Sequence, residues 1–168
     1  MGDRTKVWHH THIRAGARIG CDSVLGKGVY VAPTVVVGNR VHIQNNVSLY
    51  DGVSLEDDVF IGPGAVFAND RQPRAHNLDW RPEAVIIRRG ASVGAHATIL
   101  PGLEIGEYAM IGAGTVVTRS VLPHQLVVGV PARAYGWICR CGSTIRRQLS
   151  RPERFGCETC GSDDVDQR

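Results

Sequence analysis

Apolar residues recur at every sixth position along most of this chain. The series begins at Ile13 and holds through ten consecutive positions to Phe67. A helix repeats its buried face about every 3.6 residues and a strand about every 2, so neither element accounts for a period of six. The aliphatic members of the series are Ile13, Ile19, Leu25, Val31, Val37, Ile43, Leu49, Leu55 and Ile61. The pattern therefore predicts a repeat protein.

A second column of small or β-branched residues stands four positions after each of these aliphatic residues. It comprises Ala17, Ser23, Val29, Val35, Val41, Val47, Val53, Val59 and Ala65. Each hexad fits a short strand and a tight turn, three hexads close a triangular coil, and stacked coils pair as parallel strands roughly 4.8 Å apart. This predicts an all-β fold, a parallel β-helix with an aliphatic interior. A sandwich with unusual strand spacing is the alternative, which sixteen hexads in register disfavour.

One insertion interrupts the repeat. The aliphatic series resumes at Ile87 and continues to Val117, but the 20-residue step from Phe67 to Ile87 is not a multiple of six. Residues 71–84, RQPRAHNLDWRPEA, are too polar and proline-containing for a coil, which predicts one inserted loop. Loops of this length inside a compact domain are usually functional. Trp80 within the loop either shields a site or packs on a neighbouring subunit.

The closing part of the repeat resembles a known family. The stretches IGEYAMIGAGTVVTRSV and VVGVPARAYG are similar to the final coils and exit loop of the hexapeptide-repeat acyltransferases, and the resemblance covers residues 5 to about 135. It implies a left-handed β-helix, although parallel crossovers are otherwise right-handed. It also implies a homotrimer that binds acyl-CoA between neighbouring helices. Backbone amides near Ala95 and Ala113 and the side chains of Arg119 and Arg133 would then hold acetyl-CoA.

The middle of the chain resembles a narrower branch of that family. Residues 38–75, GNRVHIQNNVSLYDGVSLEDDVFIGPGAVFANDRQPRA, and the stretch VWHHTHI near the start are similar to nucleotide-sugar N-acetyltransferases. The Asn69-Asp70 pair followed by Pro73-Arg74 is similar to the enzymes that act on dTDP-3-amino-3,6-dideoxyhexoses, whereas the related UDP-sugar enzymes tend to lack the acid. The resemblance implies acetyl transfer from acetyl-CoA to the amino group of a dTDP- or UDP-linked 3-amino sugar, in glycan or natural-product sugar synthesis.

Asp51 and Asn69 are the leading candidates for this chemistry. They stand 18 residues apart, which is three hexads, so the repeat places them on the same corner of successive coils. By resemblance, Asp51 and the Asn69-Asp70 pair orient the sugar amine, which has to be neutral and aimed at the thioester. Asparagine accepts a hydrogen bond but no proton, which leaves Asp51, Asp70 or the departing thiolate as the proton acceptor. Turn formation alone is the alternative role for these residues.

Histidine is the rival general base. Seven histidines are present, and His76 lies inside the inserted loop, where an imidazole is placed to activate an acceptor group. His96, an outward corner residue of a regular hexad, ranks after it. An amine that binds in its neutral form needs no such base. Arg71, Arg74 and Arg81 of the same loop are candidate partners for a pyrophosphate, with plain solvation as the alternative.

Four of the five cysteines form two close pairs near the end of the chain. The pairs, each followed by Gly-Ser, are Cys139-Arg-Cys141 and Cys157-Glu-Thr-Cys160. Two such knuckles predict a zinc ribbon in which four thiolates hold one structural ion. Disulfides are the alternative, which a cytosolic location disfavours. We therefore expect a β-helix acyltransferase domain at 1–136 and a zinc-ribbon-like module at 137–168.

Composition restricts the partners and the location. The 168 residues carry a net charge of +3, too small to indicate nucleic acid or an anionic membrane as a partner. Apolar runs are shorter than the roughly 18 residues that span a bilayer, so no membrane partner is expected either. The stretch MGDRTKVWHH contains no signal-peptide core, and a cytoplasmic protein is expected.

Three other functions remain open at this point. The γ-class carbonic anhydrases share the left-handed helix, but their His-x4-His pair is missing, since no two histidines stand five apart. A non-catalytic hexapeptide scaffold would not need Asn69-Asp70 beside an irregular loop. An acetyltransferase that acts on another small amine or on a hydroxyl, through a histidine base, is the third alternative.

Overall fold

The computed structural model describes residues 1–77, 79–146, 150, 152 and 155–164. Every regular element in this part of the chain is a β-strand, and most strands are two residues long. Consecutive strands of the repeat do not pair with each other. Each pairs with the parallel strand three elements later, so that Lys6 lies beside Val24 and Val24 beside His42. Three strands and three corners therefore make one coil, and the coils stack into a solenoid.

The stacked strands form the three sides of the solenoid, which we name sheets A, B and C. Sheet A contains β1 (Lys6–Val7), β4 (Val24–Leu25), β7 (His42–Ile43), β10 (Phe60–Ile61), β13 (Ser92–Val93), β16 (Met110–Ile111), β18 (Gln125–Val128), β19 (Arg133–Ile138) and β20 (Thr144–Arg146). Sheet B contains β2 (His12–Ile13), β5 (Tyr30–Val31), β8 (Ser48–Leu49), β11 (Val66–Phe67), β14 (Thr98–Ile99) and β17 (Val116–Val117). Sheet C contains β3 (Arg18–Ile19), β6 (Val36–Val37), β9 (Val53–Leu55), β12 (Val85–Ile87) and β15 (Glu104–Ile105). A separate two-stranded pair consists of β21 (Phe155–Gly156) and β22 (Asp163–Asp164).

The interior of the solenoid is the predicted stack of sixth-position residues. From Leu25 to Val117, each member of this series is at most 2% exposed. The second column, from Val29 to Val59, lines the same interior with valines that are at most 1% exposed. Branched aliphatic side chains suit a pleated, crowded interior, and removing their apolar surface from water drives the stacking. The inward orientation of the hexad residues is confirmed.

The chain changes sheet at three corners, which we name after the sheets they join. The A–B corner comprises residues 8–11, 26–29, 44–47, 62–65, 94–97 and 112–115. The B–C corner comprises residues 14–17, 32–35, 50–52, 68–84, 100–103 and 118–120. The C–A corner comprises residues 20–23, 38–41, 56–59, 88–91, 106–109 and 122–124.

The inserted loop leaves the solenoid at the B–C corner. Leu55 of β9 pairs with Ile87 of β12, a step of 32 residues where a regular coil takes 18, so this coil contains 14 extra residues. The strands on both sides of the loop keep their register, which confirms a single insertion at the predicted place. The fourteen residues are therefore added at one corner of an otherwise regular coil.

The end of the chain departs from the parallel pattern. Strand β18 pairs in parallel with β16, and β19 then pairs antiparallel with β18 and with β20. The boundary expected between residues 136 and 137 falls inside β19, and the division into two modules stays a prediction. The all-β class, with parallel coils, one inserted loop and a terminal cysteine cluster, is confirmed. None of the described residues forms a helix long and apolar enough to cross a membrane.

Candidate functional site

The structure brings Asp51 and Asn69 to the same corner. Ser48 of β8 pairs with Val66 of β11, and each candidate follows its strand residue by three positions at the B–C corner. They therefore lie on successive coils, as the hexad count predicts. Both side chains are half-buried. The corner thus offers one carboxylate and one amide next to the point where the inserted loop begins.

The side chain of Asp51 also bonds to the turn at Thr34 in the preceding coil. Its Oδ1 accepts hydrogen bonds from the hydroxyl of Thr34 (2.8 Å) and from the N–H of Thr34 (3.2 Å). The Thr34 hydroxyl in turn lies 3.1 Å from the N–H of Gly52, which donates to it. Sequence reasoning missed Thr34, although its position 17 residues before Asp51 marks it as a neighbour in the previous coil. One carboxylate oxygen is thus committed to the fold.

Asn69 is held through its backbone rather than its side chain. The N–H of Glu83, on the returning limb of the loop, donates to the carbonyl of Asn69 at 3.2 Å. Among the described residues, the amide group of Asn69 has no hydrogen-bond partner. The neighbouring Asp70 accepts a 2.8 Å hydrogen bond at Oδ1 from the N–H of Gln72, which is a turn contact. The amide of Asn69 is therefore available to a ligand.

His76 and His96 occupy different places. His76 is exposed on the inserted loop, where it lines a shallow depression of about 660 Å³ together with Arg74 and Asn77. His96 lies on the A–B corner, and its ring covers Gly64 so closely that an added Cβ there would meet the ring at 2.6 Å. His96 therefore packs against the repeat, whereas His76 lines a depression of the inserted loop.

The arginines of the loop differ in what they contact. Arg71 forms an ion pair with Glu83, with Nη2 and Oε2 3.0 Å apart, and this contact lowers the pKa of Glu83. Arg74 and Arg81 each donate to the carbonyl of the preceding residue. Trp80 is half-buried, and its indole N–H has no hydrogen-bond partner within the described parts of the chain. Arg71 is thus engaged within the protein, and Arg74 and Arg81 make only local contacts.

The four candidate acetyl-CoA residues lie at two edges of sheet B. Ala95 and Ala113 occupy the A–B corner of successive coils. The exit loop returns to this edge, where the N–H of Ala132, just before Arg133, donates a 2.8 Å hydrogen bond to the carbonyl of the first residue of β17. Arg119 is exposed on the B–C corner instead. Three of the four candidates therefore share one edge of sheet B, and the Asn69 corner lies at the other.

The four paired cysteines converge on one point. Their Sγ atoms all lie within 4.8 Å of one another, with 3.5 Å between Cys139 and Cys160 and 3.7 Å between Cys141 and Cys157. A tetrahedral Zn²⁺ with Zn–S bonds of about 2.3 Å separates its sulfur ligands by about 3.8 Å. Each pair sits in a turn closed by a hydrogen bond from a following glycine to the first cysteine's carbonyl. The donor set and its size fit a closed zinc site.

The thiols differ in how readily they ionise. Burial raises the pKa of Cys139 to about 11, while hydrogen bonds from Ser143 lower the pKa of Cys141 to about 6. Ser162 likewise lowers the pKa of Cys160. Metal binding replaces the proton of each ligand thiol, so a bound cation would keep the buried Cys139 sulfur in its thiolate form. The cluster therefore combines thiolates that form readily with one that a metal ion would stabilise.

Comparison with known proteins identifies the repeat. The model of the bacterial transferase hexapeptide (six repeats) family matches residues 16–49, 34–69 and 84–119, which together span more than half of the chain. The chain belongs to this family. The matches leave out most of the inserted loop and the whole C-terminal segment with the cysteine cluster.

Two curated relatives give different indications of substrate. A stretch of 61 residues is 49% identical to the dTDP-3-amino-3,6-dideoxy-alpha-D-galactopyranose 3-N-acetyltransferase of Aneurinibacillus thermoaerophilus, covering 36% of this chain and 32% of that protein. A longer stretch of 138 residues is 37% identical to the serine acetyltransferase of Escherichia coli K12, covering 81% of this chain and 42% of that protein. The chain thus spans less than half the length of either relative.

A solved structure of similar fold contains both ligands of interest. It is a histidine-to-asparagine mutant of perosamine N-acetyltransferase from Caulobacter crescentus, in complex with CoA and GDP-perosamine. It is 26% identical to this chain, with a TM-score of 0.51. The matched region covers 75% of this chain and 56% of the perosamine N-acetyltransferase chain. That structure therefore holds CoA and a nucleotide-linked amino sugar together.

Proposed function

We propose that the protein is an N-acetyltransferase that moves the acetyl group of acetyl-CoA to the amino group of a nucleotide-linked 3-amino sugar. The observation that carries this proposal is the 49% identity over 61 residues to a dTDP-3-amino-sugar 3-N-acetyltransferase. The similar structure with CoA and GDP-perosamine supports the same pair of substrates. We propose that the nucleotide is dTDP or UDP.

The Asn69 corner supplies the acceptor side of the proposed site. The side-chain oxygen of Asn69 accepts a hydrogen bond from the substrate amine and so directs its lone pair at the thioester carbonyl. The free oxygen of Asp51 orients the same amine from the coil below. As the amine nitrogen bonds to the acyl carbon, the C–S bond breaks, and the amine proton passes to the thiolate of CoA or to a carboxylate of Asp51 or Asp70.

The acetyl-CoA side of the proposal uses the opposite edge of sheet B. Ala95, Ala113 and Arg133 would hold the cosubstrate there, with Arg119 contacting a phosphate from the B–C corner. Since Ala95, Ala113 and Arg133 lie at the other edge of sheet B from Asn69, the proposed site forms between neighbouring protomers. We therefore propose a homotrimer, as the hexapeptide resemblance implies.

Acetylation of a hydroxyl is the second candidate function. It is favoured by the 37% identity to serine acetyltransferase over 81% of the chain. A hydroxyl acceptor needs a general base, and His76 on the inserted loop is the residue placed to serve. The two candidates differ in the acceptor atom, nitrogen or oxygen, and in their dependence on His76.

The cysteine cluster would have a structural role in either case. Four thiolates from Cys139, Cys141, Cys157 and Cys160 complete a tetrahedral shell, so the zinc ion would keep no open position for a substrate. We propose that the ion holds the two knuckles together behind the last coil. The closeness of the four Sγ atoms supports this role.

Mass spectrometry of acetyl transfer distinguishes the candidates. The full chain is incubated with acetyl-CoA and, separately, with dTDP- and UDP-linked 3-amino sugars, GDP-perosamine and L-serine. The proposal expects a mass gain of one acetyl group on a dTDP- or UDP-linked amino sugar and none on serine. Acetylation of serine alone would establish the second candidate and refute the first.

A further inference from the structure

The inserted loop is closed at its neck by two limbs. The departing limb is formed by residues 69–71 and the returning limb by residues 83–85. The N–H of Glu83 donates to the carbonyl of Asn69 (3.2 Å), and the N–H of Val85 donates to the carbonyl of Gly52 (3.1 Å). The returning limb therefore contacts both the Asn69 position and the residue next to Asp51.

A single arginine closes this neck from the side. The guanidinium of Arg71 donates from Nε to both carboxylate oxygens of Glu83, at 3.1 and 3.2 Å, and from Nη2 to Oε2 at 3.0 Å. Nη2 also donates to the carbonyl of Pro101 at 2.8 Å. Arg71 thus joins the start of the loop, its end and the corner of the next coil, which its planar fork of donors allows.

The next coil leaves space for this contact. Gly102 has a φ of +75°, and a Cβ at that position would lie 2.6 Å from Oε2 of Glu83 and 3.1 Å from Nη2 of Arg71. A side chain at position 102 would therefore be strained and would push into the ion pair. The absence of a side chain at Gly102 therefore leaves the space in which Arg71 contacts Glu83 and Pro101.

The exposure of the pair indicates what it contributes. The side chains of Arg71 and Glu83 are 56% and 40% exposed. Ion pairs this accessible add little to global stability. Their geometric effect is separate, because a displacement of about 1 Å in a reacting group can lower a rate about a hundredfold. A weak clamp at the neck is therefore sufficient to affect aiming without affecting the fold.

We propose that Arg71 is a positioning residue whose contacts with Glu83 and the Pro101 carbonyl hold the loop neck closed and thereby fix the Asn69 amide over the Asp51 corner. This inference rests on the proposed acetyl transfer and adds a residue to it. It also reassigns Arg71, because a guanidinium already paired with a carboxylate is a poor ligand for pyrophosphate.

A double-mutant cycle tests the clamp. Arg71→Ala, Glu83→Ala and the double variant should each lower kcat by roughly tenfold to a hundredfold, with the double variant no worse than either single one, because all three open the same neck. The KM for acetyl-CoA and the Tm should stay at the wild-type values. Arg88→Ala is the matched control, since it removes partly exposed ion pairs to Glu56 and Glu104 away from the loop; its kcat should be unchanged.

Other outcomes would overturn the clamp. If Arg71→Ala raises the KM for the nucleotide sugar while Glu83→Ala is normal, Arg71 contacts the substrate and is not a positioning residue. Limited trypsinolysis supplies a readout that does not need activity. Cleavage after Arg74 should be faster in Arg71→Ala than in the wild type or in Arg88→Ala, and equal rates would contradict the proposal. This arm decides the clamp even if the wild type acetylates no amino sugar, which would refute only the proposed function.

Discussion

Asp51 combines a structural contact with a candidate chemical role. Its Oδ1 is bound by the hydroxyl and the N–H of Thr34, which stabilises the turn of the preceding coil. The carboxylate was predicted from the 18-residue spacing to Asn69, and that spacing is preserved in the structure. The contact with Thr34 was not predicted, because a hexad pattern locates a residue on a corner but does not specify which neighbour its side chain bonds.

Asp51→Asn separates these two contributions. The amide oxygen of the variant can still accept from Thr34, so the corner should keep its shape. We expect kcat/KM to fall by about tenfold, since the variant retains an acceptor for the amine but loses the charge. Steady-state kinetics at saturating acetyl-CoA measures this effect. A loss of a thousandfold or more, with an unchanged circular dichroism spectrum, would instead identify Asp51 as the general base.

Arg71 shows why single residues of the loop were harder to predict. Its charge and its fork of donors suggested a pyrophosphate ligand, whereas the structure pairs it with Glu83 and the carbonyl of Pro101. The register of the repeat ends where the loop begins, so no spacing rule relates Arg71 to the next coil. The loop's location was therefore predictable from the break in the hexads, and its internal contacts were not.

At the scale of elements, the C–A corner carries a column of alternating charge. Arg4 binds Asp22 and Arg40 binds Asp58, each with a shortest N–O distance of 2.6 Å across one coil. All four residues have positive φ values between 55° and 62°, a conformation that recurs from coil to coil. Opposite charges at a spacing of 18 residues would have revealed this column from the sequence. Adjacent coils repeat the same backbone, so residues 18 positions apart lie side by side at the corner. An arginine and an aspartate at that spacing can therefore form an ion pair.

The column makes stability depend on acid. Hydrogen bonds from Arg4 lower the pKa of Asp22 and those from Arg40 lower the pKa of Asp58, while the N–H of Asn39 lowers that of Asp57. The unfolded aspartates, with pKa values near 3.9, bind protons first as the pH falls. The contribution of these contacts is therefore complete above about pH 5 and is lost as the pH falls through the lower folded values.

Thermal unfolding as a function of pH measures this contribution. We expect the Tm to drop as the pH falls below about 5, because the unfolded chain then binds protons before the folded one. Asp58→Asn should have only a slightly lower Tm at pH 7, because its ion pair is as exposed as that of Arg71, and a shallower drop with acid, because one of the titrating contacts is gone. A variant as steep as the wild type would show that the acid dependence arises elsewhere.

The convergence of the four cysteines was predicted from their spacing in the sequence. Short spacings within each pair fix the local turns, and the structure brings the two turns together, with all four Sγ atoms within 4.8 Å of one another. The pairing of β19 with both β18 and β20 was not predicted, because these strands fall outside the hexad register. Backbone pairing therefore joins the first knuckle to the last coil, and the proposed ion would join the second knuckle to the first.

Removal of one ligand tests the proposed zinc site. The wild-type chain should contain about one zinc per chain by elemental analysis, and Cys157→Ser should lose most of it. The β-sheet circular dichroism and the main thermal transition should persist, since the solenoid interior does not include the knuckles. Cys21→Ser, which changes a thiol outside the cluster, should keep full zinc content. Full zinc in Cys157→Ser, or collapse of the solenoid, would contradict this account.

At the scale of the whole molecule, the fold follows from the six-residue period of the sequence, because each hexad forms one side of a coil. The sixth-position residues are nearly all buried, so the number of coils and the site of the insertion could be read from the chain. The candidate site could be predicted only in part. The repeat brings Asp51 and Asn69 together, while the sugar, the acyl acceptor atom and the contribution of a neighbouring protomer depend on surfaces that periodicity does not describe.

The central claim is that the Asn69 corner aims an amine at acetyl-CoA without help from histidine. It is tested most directly by kcat/KM at saturating acetyl-CoA for the wild type, Asn69→Ala and His76→Ala on one nucleotide-linked amino sugar. We expect Asn69→Ala to lose about a hundredfold or more with its circular dichroism unchanged, and His76→Ala to stay within a few-fold of the wild type. An inactive His76→Ala beside a nearly normal Asn69→Ala would contradict the account and establish a histidine-dependent mechanism.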